Sequence, residues 1–275
     1  MKTKIISVFF LILATAGLLR ADGIGELHGS VELGFSSAYV YKGMIYNDEP
    51  VATISPTLEW YFTDDICLGG NFWQLYDLTG RRRSDDECQN EWKETDFEVY
   101  LGCALWKSED GECALNSRLV YYWETGIING KWYNATSYPY LEAEFENPFI
   151  TPFFQLAWDF DHTHSLLAIA GVRHEFELTD TVSLTPQLTA FGGHKRIVRE
   201  VYCNDNGKTG IASLEGRLTL DWSPTEWMTV SAFAALNAMV NTRITDDWSS
   251  YGDEMPEYMS HEQLVFGGVT VRFEF

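Results

Sequence analysis

The stretch that decides the fold is Val265-Phe-Gly-Gly-Val-Thr-Val-Arg-Phe-Glu-Phe275. Counted by twos, Val265, Gly267, Val269, Val271, Phe273 and Phe275 share one face, and Gly268, Thr270, Arg272 and Glu274 share the other. That is the period of a β-strand with one apolar and one polar side. The same alternation runs through Ala52–Phe62, where Ala52, Ile54, Pro56, Leu58, Trp60 and Phe62 oppose Thr53, Ser55, Thr57, Glu59 and Tyr61. It returns in Ala212–Trp222, with Ala212, Leu214, Gly216, Leu218, Leu220 and Trp222 set against Ser213, Glu215, Arg217, Thr219 and Asp221. Twelve such segments are read, beginning near Leu27, Val51, Ile66, Thr95, Glu112, Tyr138, Ile150, Ser165, Val182, Ile211, Trp227 and Glu262. Helix signals are nearly absent between them.

The connections alternate in length. Short polar turns follow every second segment, at 63–65, 109–111, 147–148, 179–181 and 223–226. The others, at 37–50, 77–93, 126–137, 194–210 and 241–261, are longer and rich in charge or glycine; the exception, 161–164, is short. Trp60, Phe62, Trp106, Trp222 and Trp227 stand beside the short turns, where an amphipathic ring would sit at a membrane interface. A soluble sandwich or lipocalin-like barrel also alternates, but its last strand needs no terminal aromatic. An even number of alternating strands, short turns at one end, long loops at the other and a final aromatic strand predict a twelve-stranded transmembrane antiparallel β-barrel of the outer-membrane kind.

The N-terminus agrees. Lys2 and Lys4 precede the apolar run Ile5–Leu13, and small residues follow. This reads as a secretory signal peptide over 1–21, cleaved after Ala16 or Ala21, with the barrel over 22–275. The run is too short to span a bilayer as a helix. The chain of 275 residues carries a net charge of −21, and loss of Lys2, Lys4 and Arg20 makes it −24. Such an acidic chain is excluded as a nucleic-acid binder, since phosphates are held by lysine and arginine. A mean hydropathy of −0.16 excludes a helical multi-span protein. The expected location is the bacterial outer membrane, with its lipids and lipopolysaccharide as partners, and the strand that ends at Phe275 is the expected contact for the barrel assembly machinery.

The segment Tyr39-Val40-Tyr41-Lys42-Gly43 follows the first strand and precedes the acidic stretch Asn47-Asp48-Glu49-Pro50. It resembles the tyrosine-rich Y-x-x-R-G motif of the Gcw_chp (TorF-like) family of outer-membrane proteins. Lys42 stands where that motif has arginine, and Met44-Ile45-Tyr46 departs from its aliphatic-serine continuation. The resemblance covers about the first forty mature residues. It implies a barrel, is compatible with a porin and names no substrate.

With the apolar faces assigned to lipid, the polar faces line the lumen. Their acids include Glu32, Glu59, Asp96, Glu98, Glu124, Glu142, Glu144, Glu146, Asp159, Glu175, Glu177, Glu215, Asp221 and Glu274; their arginines are Arg118, Arg173, Arg217 and Arg272. Carboxylates around a pore favour cations, so a porin-like channel passing small solutes with cation preference is expected. The alternatives are a plugged barrel that binds a partner through its loops and, less supported, an outer-membrane hydrolase using His28 and Ser30. The cluster Asp159, Asp161, His162 and His164 offers metal-type donors, but a solvated hairpin tip is the plainer account. Acidic loop residues Asp85, Asp86, Glu87, Asp246, Asp247, Asp253 and Glu254 could bridge divalent ions to lipopolysaccharide, with a solvated loop as the plainer account. No resident metal or cofactor is expected. Of five cysteines, Cys88 and Cys203 fall in long loops and are candidates for a disulfide. Cys103 and Cys113 are either a cross-strand pair or two small lipid-facing residues.

Overall fold

The computed structural model describes residues 25–78, 93–128, 131–160, 164–200, 208–240 and 263–275. The signal segment, Cys88, Cys203, Asp161, His162 and the acidic loop residues named above lie outside them. The strands are β1 (Glu26–Ser36), β2 (Tyr39–Tyr41), β3 (Met44–Asn47), β4 (Val51–Thr63), β5 (Ile66–Asp77), β6 (Lys93–Lys107), β7 (Ala114–Ile128), β8 (Lys131–Glu146), β9 (Thr151–Asp159), β10 (Ser165–Arg173), β11 (Phe176–Thr179), β12 (Val182–Gly193), β13 (Gly210–Thr225), β14 (Met228–Met239) and β15 (Gln263–Glu274). One short helix, α1 (Lys195–Glu200), follows β12.

Each wall strand is antiparallel to both neighbours. β1 pairs with β4 on one side and with β15 on the other, and β10 pairs with β9 and β12, so the sheet closes on itself. β10 and β11 are one wall strand interrupted at His174 and Glu175; the His174 N–H still donates to the Pro186 carbonyl at 3.2 Å. The wall therefore has twelve strands, and β2 and β3 form a separate two-stranded hairpin. Closure leaves no wall strand without a partner on either side, as hydrocarbon requires. Twelve strands about 4.8 Å apart and tilted about 40° give a backbone radius of about 12 Å.

The assignment of faces follows the alternation. Leu33, Phe35, Val99, Leu101, Leu119, Leu141, Leu188, Leu218, Val265 and Val269 are exposed on the outer surface, and Trp60, Phe62, Trp106, Trp222 and Trp227 are exposed near the short turns. This apolar belt is a lipid-facing surface. The fold is that of Gram-negative outer-membrane proteins, and the belt places the barrel in that membrane. Ala212 departs from the outer face: a bulge opposite Phe191 and Gly192 shifts the β12–β13 register, and Ala212 is buried in the interior. Bulges turn a side chain in this way because two residues oppose one. Cys103 and Cys113 are free thiols; Cys103 lies opposite Ile66 and Ser117, so the cross-strand pairing is not formed.

The seam between β1 and β15 ends in a reciprocal pair of hydrogen bonds. Gly29 N–H donates to the Phe275 carbonyl and Phe275 N–H to the Gly29 carbonyl, both at 2.9 Å. The Phe275 ring lies over Gly29, where a β-carbon would come within 2.7 Å of its Cζ atom. The aromatic covers the bare backbone of the glycine and pins the register. Deleting Phe275 should therefore lower the fraction of heat-modifiable barrel recovered from the outer membrane; an unchanged fraction would show that the seam closes without it.

Candidate functional site

The lumen is built in two levels. Toward the short turns it is open. Two cavities of about 720 and 740 Å³ share Tyr61 and Arg118 as walls. The first reaches Asp64, Asp65, Lys107, Glu142, Glu144, Glu146 and Arg173. The second reaches His28, Ser30, Glu59, Tyr100, Glu226, Arg272 and Glu274. Together they form a polar vestibule on the short-turn, periplasmic side.

Toward the long loops the lumen is filled. The connection at 37–50, expected as an outer loop, folds inward as the β2–β3 hairpin. Its turn places Lys42 at φ +49° and Gly43 at φ +76°, between the paired residues Tyr41 and Met44. Two central residues with positive φ match the right-handed twist of a two-residue hairpin. Gly43 is required twice over, by its backbone and by space: a β-carbon there would lie 2.5 Å from Phe191 Cδ2 and 2.8 Å from Ser213 Oγ.

The hairpin spans the lumen between opposite walls. On one side the Tyr39 ring stacks on Trp73 of β5 at 5.4 Å, and its hydroxyl donates to Glu94 Oε1 of β6 at 3.0 Å. The Tyr41 ring stacks with Tyr122 of β7 at 6.3 Å. The Lys42 ammonium donates to the Tyr138 hydroxyl of β8. On the other side Asn237 Nδ2 of β14 donates to the Gly43 carbonyl at 3.0 Å, and Ser213 Oγ of β13 donates to Asn237 Oδ1 at 2.8 Å. Ala38 packs with Ala235 and Phe266 of β14 and β15. Around the ring of strands β6 and β13 are diametrically opposed, so the hairpin is a strut across a lumen whose walls supply side chains from both sides.

Lys42 is the centre of this level. Its Nζ lies 4.6 Å from the Tyr41 ring, 4.8 Å from Tyr122, 4.6 Å from Tyr138 and 5.7 Å from Tyr140. Each such contact is worth about 0.5–2 kcal/mol, the upper end where water is excluded. Loss of water pushes the ammonium down to about 8, with the carboxylates of Glu98, Glu124, Asp96 and Glu142 pulling the other way. It is charged at neutral pH.

The expected pore-lining residues face inward but serve different ends. Each arginine has a carboxylate partner: Arg272 Nη2 with Glu32 Oε2 at 2.9 Å, Arg118 Nη2 with Glu59 Oε1 at 3.4 Å, Arg173 Nη2 with Glu144 Oε1 at 2.5 Å, and Arg217 Nε with Glu215 Oε1 at 2.9 Å. Arg118 also stands opposite Glu142 in the β7–β8 register, and its guanidinium lies 4.9 Å from the Tyr100 ring. Tyrosine hydroxyls take further acids: Tyr100 donates to Glu59 Oε1 and Tyr140 to Glu98 Oε1, both at 2.6 Å. Glu146 borders the vestibule, and Glu175 is exposed in the break between β10 and β11. Asp96 does not line open water: only 5% of it is exposed, beside the hairpin.

Several groups escape a reading by alternation. Glu94, 1% exposed, shares the inner face of β6 with Asp96. Its two-residue spacing from Asp96 is the signal that could have found it. Lys42 is legible only as a motif residue, because its cage comes from three different strands. Leu75, Val120, Leu167, Ile169, Phe191 and Phe266 are apolar yet buried inside, against the hairpin, its surrounding cluster and α1. His28 and Ser30 border the vestibule, where His28 Nε2 lies 3.4 Å from exposed Glu26. A different serine–histidine pair is formed, Ser165 Oγ to His194 Nδ1 at 3.1 Å. Ser165 is 2% exposed, and among the described residues no carboxylate holds the other nitrogen of His194, so the pair ties β10 to the start of α1 rather than forming a triad.

No family profile matches the chain, and no curated protein sequence does. Among solved structures, the COG4313 outer membrane channel from Pseudomonas putida F1 is similar at a TM-score of 0.53 and 12% identity, over 93% of this chain and 97% of that one. The KdgM porin is similar at a TM-score of 0.47 and 8% identity, over 90% and 99%. The outer membrane phospholipase A from Escherichia coli reaches 0.44 and 12% identity, over 90% and 93%. The first of these likenesses carries the fold, that of an outer-membrane β-barrel.

The hairpin's seat is testable. Gly43→Val puts a branched side chain at a positive φ and against Phe191, which should cost about 1–3 kcal/mol at that site. The barrel should stay heat-modifiable, while trypsin added to intact protein should cut after Lys42. Continued protection at Lys42 would show that this seat does not hold the hairpin.

Proposed function

We propose that the protein is a porin-like outer-membrane channel, not an enzyme, that passes small solutes with a preference for cations through a lumen constricted by the β2–β3 hairpin. The observation that carries this reading is the excess of acids over bases in the lumen. The four arginines are each engaged by a carboxylate, and the remaining acids outnumber Lys42. A vestibule of this sign concentrates cations and repels anions. The inserted hairpin supports a second reading, a plugged barrel that acts through its loops or as a structural wall protein among lipids and lipopolysaccharide. Conductance of the purified protein in planar bilayers separates the two: discrete channel steps support the first, and a silent membrane the second.

Selectivity follows the acids. Period-two spacing aims Glu142, Glu144 and Glu146 of β8 into the vestibule. Changing all three to Gln removes three negative charges and leaves Arg173 without its partner. Reversal potentials should show cation preference in the native channel, weakening in the triple variant and fading as salt rises, since the Debye length is about 8 Å at physiological ionic strength. An anion preference in the native channel would reject the reading.

The pH dependence has a defined sign. Lys42 sits at about 8, below the ordinary 10.5 of a lysine, so it loses its charge between pH 7 and 9. The lumen then becomes more negative, and cation preference should increase over that interval. Reversal potentials measured at pH 7 and pH 9 check this, and Lys42→Met should remove the lysine's part of the change.

A further inference from the structure

We propose that the tyrosine cage around Lys42 is a binding site for an organic ammonium ion, and that Lys42 is its resident occupant, which an incoming alkylammonium solute replaces. This rests on the channel reading and names its substrate class.

Three of the four rings over the ammonium, Tyr122, Tyr138 and Tyr140, belong to the wall and not to the hairpin. Their backbones are held by the β7–β8 pairing, apart from the hairpin. The faces of electron-rich rings, with a hydroxyl to accept from the ammonium, are the recognition chemistry of amines and quaternary ammonium ions. A strongly hydrated metal ion is served poorly by ring faces, and among the described residues no group of three His, Cys, Asp or Glu is close enough to hold a metal.

The cage is bordered by more carboxyl groups than one lysine uses. Asp96 and Glu124 are opposite each other in the β6–β7 register, and Glu94 precedes them on the same face. Glu94 is 1% exposed, and its Oε2 atom has no hydrogen-bond partner; Asp96, at 5%, has the same deficit at Oδ1. Buried polar atoms of this kind are rare, because each costs the desolvation it has not recovered. They mark a place where a cation is accommodated beyond the contacts that the lysine makes.

The occupant is also built to leave. Lys42 sits at the tip of a hairpin whose two strands have three and four residues, tied to the wall mainly by side chains. The lysine occupies a left-handed turn position that glycine or asparagine ordinarily takes. An isolated two-stranded hairpin has little stability of its own, so its seat depends on its contacts with the wall, the cage among them. A free ammonium ion that fills the cage competes with that seat.

Two measurements on the whole protein in detergent test this, with n-butylammonium as the probe and NaCl at equal ionic strength as the control. In the native protein, deuterium uptake by peptides covering 37–50 should rise saturably with n-butylammonium and not with NaCl. In Lys42→Ala, where the cage lacks its occupant, n-butylammonium should raise the unfolding temperature several-fold more than it does in the native protein. The rise should vanish in Lys42→Ala/Tyr138→Leu. Lys42→Gln, which keeps the stem's packing, replaces Lys42→Ala if that variant fails to assemble. Equal effects of NaCl, or a rise that survives Tyr138→Leu, would overturn the site. The channel reading is tested separately by conductance: a silent bilayer with intact n-butylammonium binding would leave the cage standing and remove the transport role.

Discussion

In hydrocarbon, a backbone N–H or C=O without a partner costs several kcal/mol, and water is not there to relieve it. The pairing of β1 with both β4 and β15 answers that constraint by leaving no strand edge in the wall. Everything else follows from closure. It turns the alternation of each strand into an inside and an outside, it divides short turns from long loops, and it sets a radius too wide for wall side chains alone to fill. The reciprocal bonds of Gly29 and Phe275 complete the ring at the short-turn end.

A closed wall of twelve strands leaves an interior that must be either wet or packed, and this protein does both at different depths. The periplasmic half is a vestibule in which arginines and acids meet in pairs, with acids in excess. The other half is occupied by the β2–β3 hairpin, held by tyrosine stacking on one wall and by the Asn237–Gly43 bond on the opposite one. Such a strut costs desolvation of Lys42 and of the carboxylates near it, and the cation–π contacts and the tyrosine hydroxyls offset part of that cost. What is left unoffset, at Glu94 and Asp96, is the most informative feature of the lumen. That unmet polar demand lies beside the hairpin that fills this half of the lumen.

The fold was legible in the chain because transmembrane β-structure obeys a local rule. A strand with lipid on one side must alternate, so Leu58, Trp60 and Phe62 on one strand and Val269, Val271 and Phe273 on another announce their outer face without any knowledge of their neighbours. The same locality explains the short turns and the tryptophans beside them. It also explains why the inward direction of Glu142, Glu144 and Arg272 could be read from parity. Ala212 was misread for the complementary reason: a bulge breaks parity, and nothing in the residues around it says which strand opposite will absorb the extra position.

What the sequence by itself determined is therefore the closed alternating wall and the sign of its interior. Only the tertiary structure decided how that interior is filled. Tyr39, Tyr41 and Lys42 read as part of an outer loop, because loop composition carries no periodicity. Their destination depends on Trp73, Glu94, Tyr122 and Tyr138 from four strands and on Asn237 some 194 residues away. Likewise Leu75, Val120 and Phe191 look like lipid-facing residues in isolation, and they are interior because a hairpin arrives to cover them. Alternation fixes a side chain's direction relative to its own strand, over two residues. Packing inside a closed barrel is settled by what stands across the lumen, and that is a property of the ring as a whole.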